Sequence, residues 1–567
     1  MLPILFALAD VAAVLLIAVP WLWPLTWGPL AAAEPYLVAA ATAAVLLAYL
    51  PWRGARRAFT LAALGWALAA TLSGVIALLQ YFHLESWGWP LINLSHAGYA
   101  FGNLRQPNLL ATHLVIGLLV AWWLTRDREL PWLVTALAAL VMLAGLAASA
   151  SRVGTVELIA LALLVVYWAW RKERAVFQFA PADERVRVFS WRLVAALAVA
   201  AVLLYLIAGW LLSLSLRNVD GLGGRNLMDH WEHGESACGS RVVLWRDVLW
   251  LIVQKPLTGW GWGNLAWAHY MAPYEEVGLP RFCHILDNAH NLPLHLAVTL
   301  GVPATAAIGA LALWLIWRGR PWGDTDPARQ LAWGVLLAIG IHSLVEYPLW
   351  YGPFQIAALL CLWLLWATRH GADAAAPARW RWPCGTLALA LLAFIGYAGW
   401  DYWRVGQLFL AEDQRAPIFR HNTMGQAKRS WLFAGIVNFA EVTTRSTTRE
   451  NAPIQLREAL ETLHFSPEPR VIEKVIASAA LLSENGVASE QLARFKASFP
   501  DDLRAWNDEN HRISEDAQQQ FQGAASQQGL PSSGSAAADA GKSAPSSAIA
   551  ARRAIKPGKT PIPRHRR

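Results

Sequence analysis

Long apolar stretches alternate with short polar connections over roughly the first 400 residues of the chain. An α-helix rises about 1.5 Å per residue, so about 20 apolar residues cross a hydrocarbon core of about 30 Å. Stretches that approach or reach this length lie near 3–23, 35–51, 58–80, 108–125, 131–149, 154–170, 193–213, 302–317, 331–345, 354–368 and 384–401. The pattern predicts an all-α, polytopic integral membrane protein of about 11 transmembrane helices.

Two regions interrupt or end this apolar pattern. Residues 214–301 form a polar excursion rich in Gly, Trp and His. Residues 402–520 place charged and apolar positions at helical spacing, as in IQLREALETLHF, and predict a helical domain. The remainder is rich in Gln, Ser, Ala and Gly and ends KPGKTPIPRHRR, which predicts a disordered basic tail. The predicted domains are 1–213, 214–301, 302–401, 402–520 and 521–567.

Basic residues are divided unequally between the loops on the two sides of the predicted membrane. Lys and Arg close to the ends of spans are retained in the cytoplasm. One set of short loops carries nearly all of them, whereas the opposite set carries only Arg105 and Arg152. This distribution predicts a cytoplasmic N-terminus, and it places 214–301 and the C-terminal domain on the outer side of the membrane. The net charge of +8 follows from this topology, and we expect no nucleic-acid partner.

The composition is that of a membrane protein, and the positions of the four cysteines indicate what each can do. The chain is 56% hydrophobic and 15% charged, which excludes an ordinary soluble domain. Cys361 and Cys384 lie in or beside predicted spans and are interpreted as apolar residues. Cys238 and Cys283 share the outward loop, where an oxidising compartment permits a disulfide, and their spacing matches no zinc pattern. The sequence leaves this bridge open, and we expect neither metal nor cofactor.

The stretch DNAHNLPLHLAVTLGVP (287–303) sets a polar cluster before an apolar run. Pro293 suits a first helical turn, so a helix should begin near it with Asn291 as its cap, and Gly301 should interrupt it before the membrane. His290 then lies just before a helix N-terminus, an end that attracts anions. Its ordinary pKa of about 6.5 would suit a general base, although such a histidine is more often structural.

Two further segments carry candidate chemistry. In CGSRVVLWRDVLWLIVQKPLTGWGWGNL (238–265), Arg241 and Trp245 are four residues apart, a helical spacing. The glycines near the end of this segment predict a tight backbone turn. His342 and Glu346 are four residues apart, so they share one helix face. Glu346 could orient a catalytic group or bind an acceptor, or it could simply pair with His342; the sequence favours neither.

An ordered set of motifs resembles one bacterial family. SRVVLW, KPLTGWGWGN, AHNLPLHLAVTLGVPA and HSLVEYPLWYGPF follow one another as in the O-antigen ligase and polymerase superfamily, called Wzy/WaaL. HAGYAFGNLRQPNLLATHL (96–114) and VEYPLWYGPF (345–354) are similar to segments of its PglL-type protein O-oligosaccharyltransferases. The resemblance covers about residues 90–355, and it implies a bacterial inner membrane with the outward loop and the C-terminal domain in the periplasm. It implies transfer of a glycan from a polyprenyl (undecaprenyl) diphosphate carrier to a hydroxyl group, without a metal.

The implied reaction assigns roles to the candidate residues. A departing diphosphate needs cationic stabilisation, and Arg provides it with a bidentate, permanently charged group. The candidates are Arg241 as a catalytic residue, with Arg152 and Arg105 binding substrate. The acceptor hydroxyl needs a base, and the position of His290 in the family motif makes it the candidate.

The remaining expectations concern substrate contacts and the acceptor. Asn108, Asn291 and Glu346 are the other predicted substrate-binding residues. The preferred acceptor is a Ser or Thr hydroxyl of a periplasmic protein such as a pilin, with lipid A core or a growing glycan as alternatives. A transporter of lipid-linked sugars is the competing class, but it would be expected to place ionisable groups near the bilayer midplane.

Overall fold

The computed structural model describes residues 2–127, 129–179, 190–216, 238–369 and 378–527. Within these ranges the regular structure is helical throughout and contains no β-strand. The basic tail predicted from residue 521 is helical as far as Gln527, and residues 528–567 lie outside the described ranges. The disorder of the tail stays a prediction.

The first seven helices account for the first seven predicted spans. They are α1 (Leu2–Leu22), α2 (Ala33–Tyr49), α3 (Ala55–Tyr81), α4 (Pro107–Arg126), α5 (Trp132–Ala148), α6 (Arg152–Phe179) and α7 (Trp191–Leu216). The next seven are α8 (Arg241–Gln254), α9 (Leu265–Met271), α10 (Leu292–Leu300), α11 (Val302–Gly319), α12 (Pro327–Ser343), α13 (Gly352–Ala367) and α14 (Ala378–Gly406). Each predicted span therefore falls on a helix.

Length and composition separate these helices into groups. Seven regions of the described chain are long and apolar enough to cross a membrane, and they fall on α2, α3, α4, α6, α7, α11 and α14. Shorter apolar helices coincide with α1, α5 and α13. The all-helical, polytopic membrane class is thus confirmed. The count of about 11 spans stays a prediction.

Chain contacts divide the protein into two compact units. The first, which we call the membrane unit, contains Met1–Glu235, His290–His295 and Thr305–Phe409. The second, which we call the loop unit, contains Ser236–Ala289, Leu296–Ala304 and Leu410–Arg567. The described part of the predicted periplasmic loop therefore shares its unit mainly with the C-terminal helices.

Small residues allow α3, α4 and α5 to pack closely in the core of the membrane unit. A Cβ added at Gly145 of α5 would lie 2.8 Å from the Cα of Gly74 of α3. Gly117 of α4 is similarly close to Ala70 of α3. Such contacts are typical of membrane helices, where packing replaces the hydrophobic driving force that water would supply. They fix the axis of α4, which carries part of the candidate site at one end.

The C-terminal helices of the loop unit pack on α9. They are α15 (Thr423–Ala427), α16 (Ala434–Thr444), α17 (Ala452–Phe465), α18 (Pro469–Leu481), α19 (Asn485–Ser498) and α20 (Pro500–Gln527). The Tyr270 hydroxyl donates to Gln491 Oε1 at 2.8 Å, and Trp267 stacks on His464 with ring centroids 4.1 Å apart. Burial raises the pKa of the Tyr270 hydroxyl, which therefore stays protonated as a donor.

Cys238 and Cys283 form a disulfide within the loop unit, with Cα atoms 5.4 Å apart. Cys361 is buried and Cys384 is half-buried, and both are free. Under denaturing, non-reducing conditions we therefore expect thiol labelling to modify two cysteines, and to modify none in the Cys361→Ser, Cys384→Ser variant. A disulfide that closes a loop of 45 residues restricts the conformations of the unfolded chain, so it should stabilise the fold by about 4 kcal/mol. Four labelled thiols in the wild-type protein would contradict the bridge.

Candidate active site

His290 lies immediately before α10, as the sequence predicts. The helix begins at Leu292, and the Asn291 side-chain oxygen accepts a hydrogen bond from the Leu294 N–H at 2.9 Å, which confirms the predicted cap. Gly301 separates α10 from α11, as predicted, and an added Cβ there would meet the Leu257 carbonyl group. His290 itself has a φ of 48°, in the left-handed region that non-glycine residues rarely adopt. Such strained positions are concentrated at functional sites.

The imidazole of His290 is paired with a buried carboxylate. Its Nδ1 lies 2.7 Å from Glu346 Oε2, and the side chains are 27% and 2% exposed, respectively. An ionised carboxylate can only accept, so the pair places the ring proton on Nδ1 and makes Nε2 the basic nitrogen of the ring. The histidine is open enough to reach a substrate, whereas its carboxylate is not. Such an arrangement can act chemically as a base held in place by an orienting carboxylate.

Glu346 is held in turn by the start of α4. Its Oε1 accepts from the Asn108 side-chain amide at 3.2 Å, and Asn108 Oδ1 accepts from the Ser151 hydroxyl at 2.7 Å. Both carboxylate oxygens therefore have partners, which fixes the plane of the group. Asn108 is thereby joined to the His290–Glu346 pair, and its predicted role in substrate binding stays a prediction.

A second polar group continues from the same helices into the membrane unit. The Thr112 hydroxyl lies 2.9 Å from Glu157 Oε1 and 2.7 Å from His342 Nδ1, and all three side chains are fully buried. The sequence left open a local pair between His342 and Glu346. The structure directs the Glu346 carboxylate to His290 and the His342 imidazole to Thr112, so it supports the orienting interpretation of Glu346.

Three of these contact residues were not found from the sequence. Ser151, which precedes α6, and Thr112, within α4, carry no sequence signal, because hydroxyls at helix starts and within helices usually bond the nearby backbone. Glu157 does carry one, since it is the acidic residue of the predicted span 154–170 and ionisable groups within membranes are costly.

Aromatic side chains and an amide border the pair. Tyr347 lies edge-on to His290 with ring centroids 4.9 Å apart, and Trp350 lies edge-on to His295 at 5.0 Å. Burial lowers the pKa of His295 to about 4, so this second histidine of the motif stays neutral near pH 7. The Asn291 amide donates to the Leu344 carbonyl at 2.7 Å. Asn291, predicted to bind substrate, therefore joins the start of α10 to the segment that carries Glu346.

The predicted arginines occupy three different elements. Arg241 is the first residue of α8 in the loop unit, and Ser240 caps that helix by accepting from the Val243 N–H. Arg152 is exposed at the first residue of α6. Arg105 donates to the Pro24 carbonyl at 3.0 Å and to Asn93 Oδ1 at 3.1 Å. The structure gives Arg105 protein partners, which favours a structural contribution beside its predicted one.

The glycine-rich segment forms the predicted tight turn within the loop unit. Gly259 has a φ of 65°, and a Cβ there would lie 2.5 Å from the Thr299 carbonyl oxygen. The Trp260 N–H donates to the Val298 carbonyl at 2.8 Å, so the turn runs against the end of α10. Lys255 lies over the Trp260 ring at 4.2 Å. Among the described residues, no group of three or more His, Cys, Asp or Glu is placed to hold a metal ion.

Families of known proteins match the segments of the chain that carry the candidate site. Family profiles match residues 100–124 as a protein glycosylation ligase, 137–309 as an O-antigen ligase, and 330–513 as the C-terminal part of a virulence factor membrane-bound polymerase. Asn108, His290 and Glu346 each fall in a different one of these matches.

A curated protein of Acinetobacter baylyi, named general O-oligosaccharyltransferase, is 28% identical over 376 residues. The alignment covers 64% of this chain and 60% of that relative, so less than two thirds of the relative is matched. Together these matches confirm the resemblance: this chain is similar to the O-antigen ligases and, among them, to the protein glycosylation ligases.

Proposed function

We propose that this protein transfers an oligosaccharide from a polyprenyl diphosphate carrier to Ser or Thr hydroxyls of periplasmic proteins. The observation that carries the proposal is the pair of an accessible His290 with a buried Glu346, fixed by Asn108. A carboxylate on Nδ1 makes Nε2 a base, and it stabilises the imidazolium that forms when the base takes a proton.

In the proposed reaction, the acceptor oxygen forms a bond with the anomeric carbon of the first sugar. The bond between that carbon and the diphosphate oxygen breaks, and its electron pair leaves with the lipid diphosphate. The proton of the hydroxyl passes to Nε2 of His290. Because the diphosphate is already a good leaving group, cationic stabilisation rather than protonation serves its departure.

Arginine fits the diphosphate because its planar group binds two phosphate oxygens at once and stays charged. We assign this role first to Arg241, which begins a capped helix, so that the guanidinium and the helix N-terminus both favour an anion. The exposed Arg152 is the second candidate. Arg105 is the third candidate, and it also donates to the Pro24 carbonyl and to the Asn93 amide oxygen.

A protein acceptor is proposed over lipid A core because of two matches. Residues 100–124 match a protein glycosylation ligase profile, and the Acinetobacter baylyi relative is named for O-oligosaccharide transfer. The O-antigen ligase match keeps lipid A core, or a growing glycan, as the alternative.

Glu157 lies only five residues into α6, about 8 Å along the axis, so this ionisable group lies toward one end of its helix. A transporter would be expected to place such a group near the middle of the membrane, so this position favours an enzyme. We propose the bacterial inner membrane as the location, with the C-terminal helices in the periplasm.

Glycoproteomics tests the proposal directly. Periplasmic and outer-surface proteins from cells with and without the gene should differ by a glycan mass on Ser or Thr peptides, and a pilin is the first protein to inspect. The lipopolysaccharide from the same cells provides the control. If its long-chain form disappears while protein glycopeptides persist, lipid A core or the growing glycan is the acceptor and the proposal is wrong.

A further inference from the structure

A cavity of about 250 Å³ lies in the membrane unit at the ends of α4 and α6 and the starts of α7 and α12. The lining residues that matter here are Trp122, Trp123, Arg126, Trp168, Lys172 and Gln330. A few aliphatic side chains, Leu119 and Val165 among them, complete the wall. The cavity therefore combines cationic, aromatic and aliphatic groups.

Its position separates it from the candidate active site. Asn108 is in the first turn of α4, whereas Arg126 is the last residue of that helix. Eighteen residues of helix span about 27 Å, close to the thickness of a hydrocarbon core. Likewise α12 has Gln330 near its start and His342 near its end. The cavity therefore faces the opposite side of the membrane from His290, so it does not hold the diphosphate of the reaction.

The charges of the cavity favour an anion. The Arg126 Nη1 donates to Gln330 Oε1 at 3.0 Å, which uses one of the five N–H donors of a guanidinium. Lys172 lies close enough to Arg126 for their charges to interact unfavourably. The exposed Asp127 interacts with both cations and offsets one of them. Asp326 and Glu129 also interact with Asp127 but are not lining residues, and Asp326 is paired with Arg56. The lining itself therefore has two cations against one carboxylate, a net positive charge that a bound anion would balance.

The aromatic lining supplies a second, independent observation. Trp123 is 6% exposed, and its buried indole N–H has no acceptor among the described residues. By contrast, the Trp168 N–H donates to the Pro321 carbonyl at 2.9 Å. A buried donor without a partner costs free energy that an acceptor oxygen would recover. Trp side chains also suit the boundary between headgroups and acyl chains.

We infer that this cavity binds the phosphate headgroup of an anionic glycerophospholipid from the leaflet opposite the candidate active site. The phosphate lies between Arg126 and Lys172 and accepts from the Trp123 N–H. The glycerol and the first acyl methylenes lie against Leu119 and Val165. A basic pocket between helices at a membrane boundary is a recurrent setting for such headgroups, whereas free phosphate would gain nothing from the aliphatic wall.

Native mass spectrometry of the full chain in detergent tests this inference with phosphatidylglycerol, phosphatidylcholine and soluble glycerol phosphate as probes. We expect preferential binding of phosphatidylglycerol, and about 30-fold weaker binding in the Arg126→Gln, Lys172→Gln variant. The Arg369→Gln, Arg379→Gln variant removes two exposed arginines outside the cavity and should bind within about twofold of the wild type.

Several outcomes would overturn the inference. These are equal binding of the two lipids, an equal loss in both variants, and competition by glycerol phosphate, which would indicate a site for free phosphate. Trp123→Phe is the variant that guards against misfolding, since it removes the N–H and keeps the ring. It should weaken phosphatidylglycerol binding by about 10- to 150-fold, as expected for one hydrogen bond to a charged group. Unchanged binding in this variant would contradict the proposed contact.

Discussion

Replacing His290 with Ala should lower glycan transfer by about 100- to 10,000-fold, the range expected when a general base is lost. The protein should still insert and accumulate, because His290 is 27% exposed and contributes little to the core. Transfer is measured by reconstituting purified protein with a lipid-linked glycan and an acceptor peptide, and by following the glycopeptide.

The backbone at His290 requires a second variant. A φ of 48° strains Ala but is tolerated by Asn, so His290→Asn removes the base with little cost to the backbone. Both variants should lose transfer alike. His284→Ala removes an exposed histidine of the loop unit and should retain wild-type rates. Normal transfer by His290→Asn would exclude the histidine as the base.

Glu346→Gln is the second change with a large expected effect, a loss of about 100-fold or more. Glutamine keeps the size of the side chain, and its oxygen can still accept from Asn108. Its amide then presents an N–H donor to His290 Nδ1, which forces the ring proton onto Nε2 and removes the basic lone pair. The turnover number should therefore fall, while the concentration of acceptor giving half-maximal rate should change little.

The chain offers a close control for this variant. Glu85 is 1% exposed, and its Oε1 lies 3.1 Å from His83 Nδ1, so it is also a buried carboxylate beside a histidine. Glu85→Gln should transfer glycan at close to the wild-type rate if only the Glu346 pair serves the reaction. Equal losses in the two variants would indicate a general effect on folding. Equal activity of Glu346→Gln and wild type would exclude the orienting role.

The helices were predictable because their apolar lengths follow from the membrane itself. The start of α10 was predictable too, since Pro293 and Asn291 each have one strongly favoured place at a helix N-terminus. The partner of Glu346 was not predictable. A spacing of four residues predicts a contact with His342, whereas tertiary packing places His290, 56 residues away in sequence, against the carboxylate. The hydroxyls of Ser151 and Thr112 escaped detection for the same reason: their partners belong to other helices.

The sequence also could not predict that the loop residues pack on the C-terminal helices. Helical periodicity in 402–520 shows that a face is buried, but not against what. In the structure, α9 covers part of that face through Trp267 and Tyr270. A predicted boundary between the loop and the C-terminal domain therefore divides residues that share one core.

Asn291 forms two hydrogen bonds with one side chain, to the Leu294 N–H and to the Leu344 carbonyl. The first fixes the start of α10 beside His290, and the second fixes the chain two residues before Glu346. The imidazole and the carboxylate are therefore held near each other by atoms that take no part in proton transfer. Little free energy is then spent on reorganisation when an acceptor arrives, which is what a preorganised site requires. In the proposed reaction we therefore expect alignment of the acceptor hydroxyl with the sugar, rather than assembly of the His290–Glu346 pair, to limit the rate.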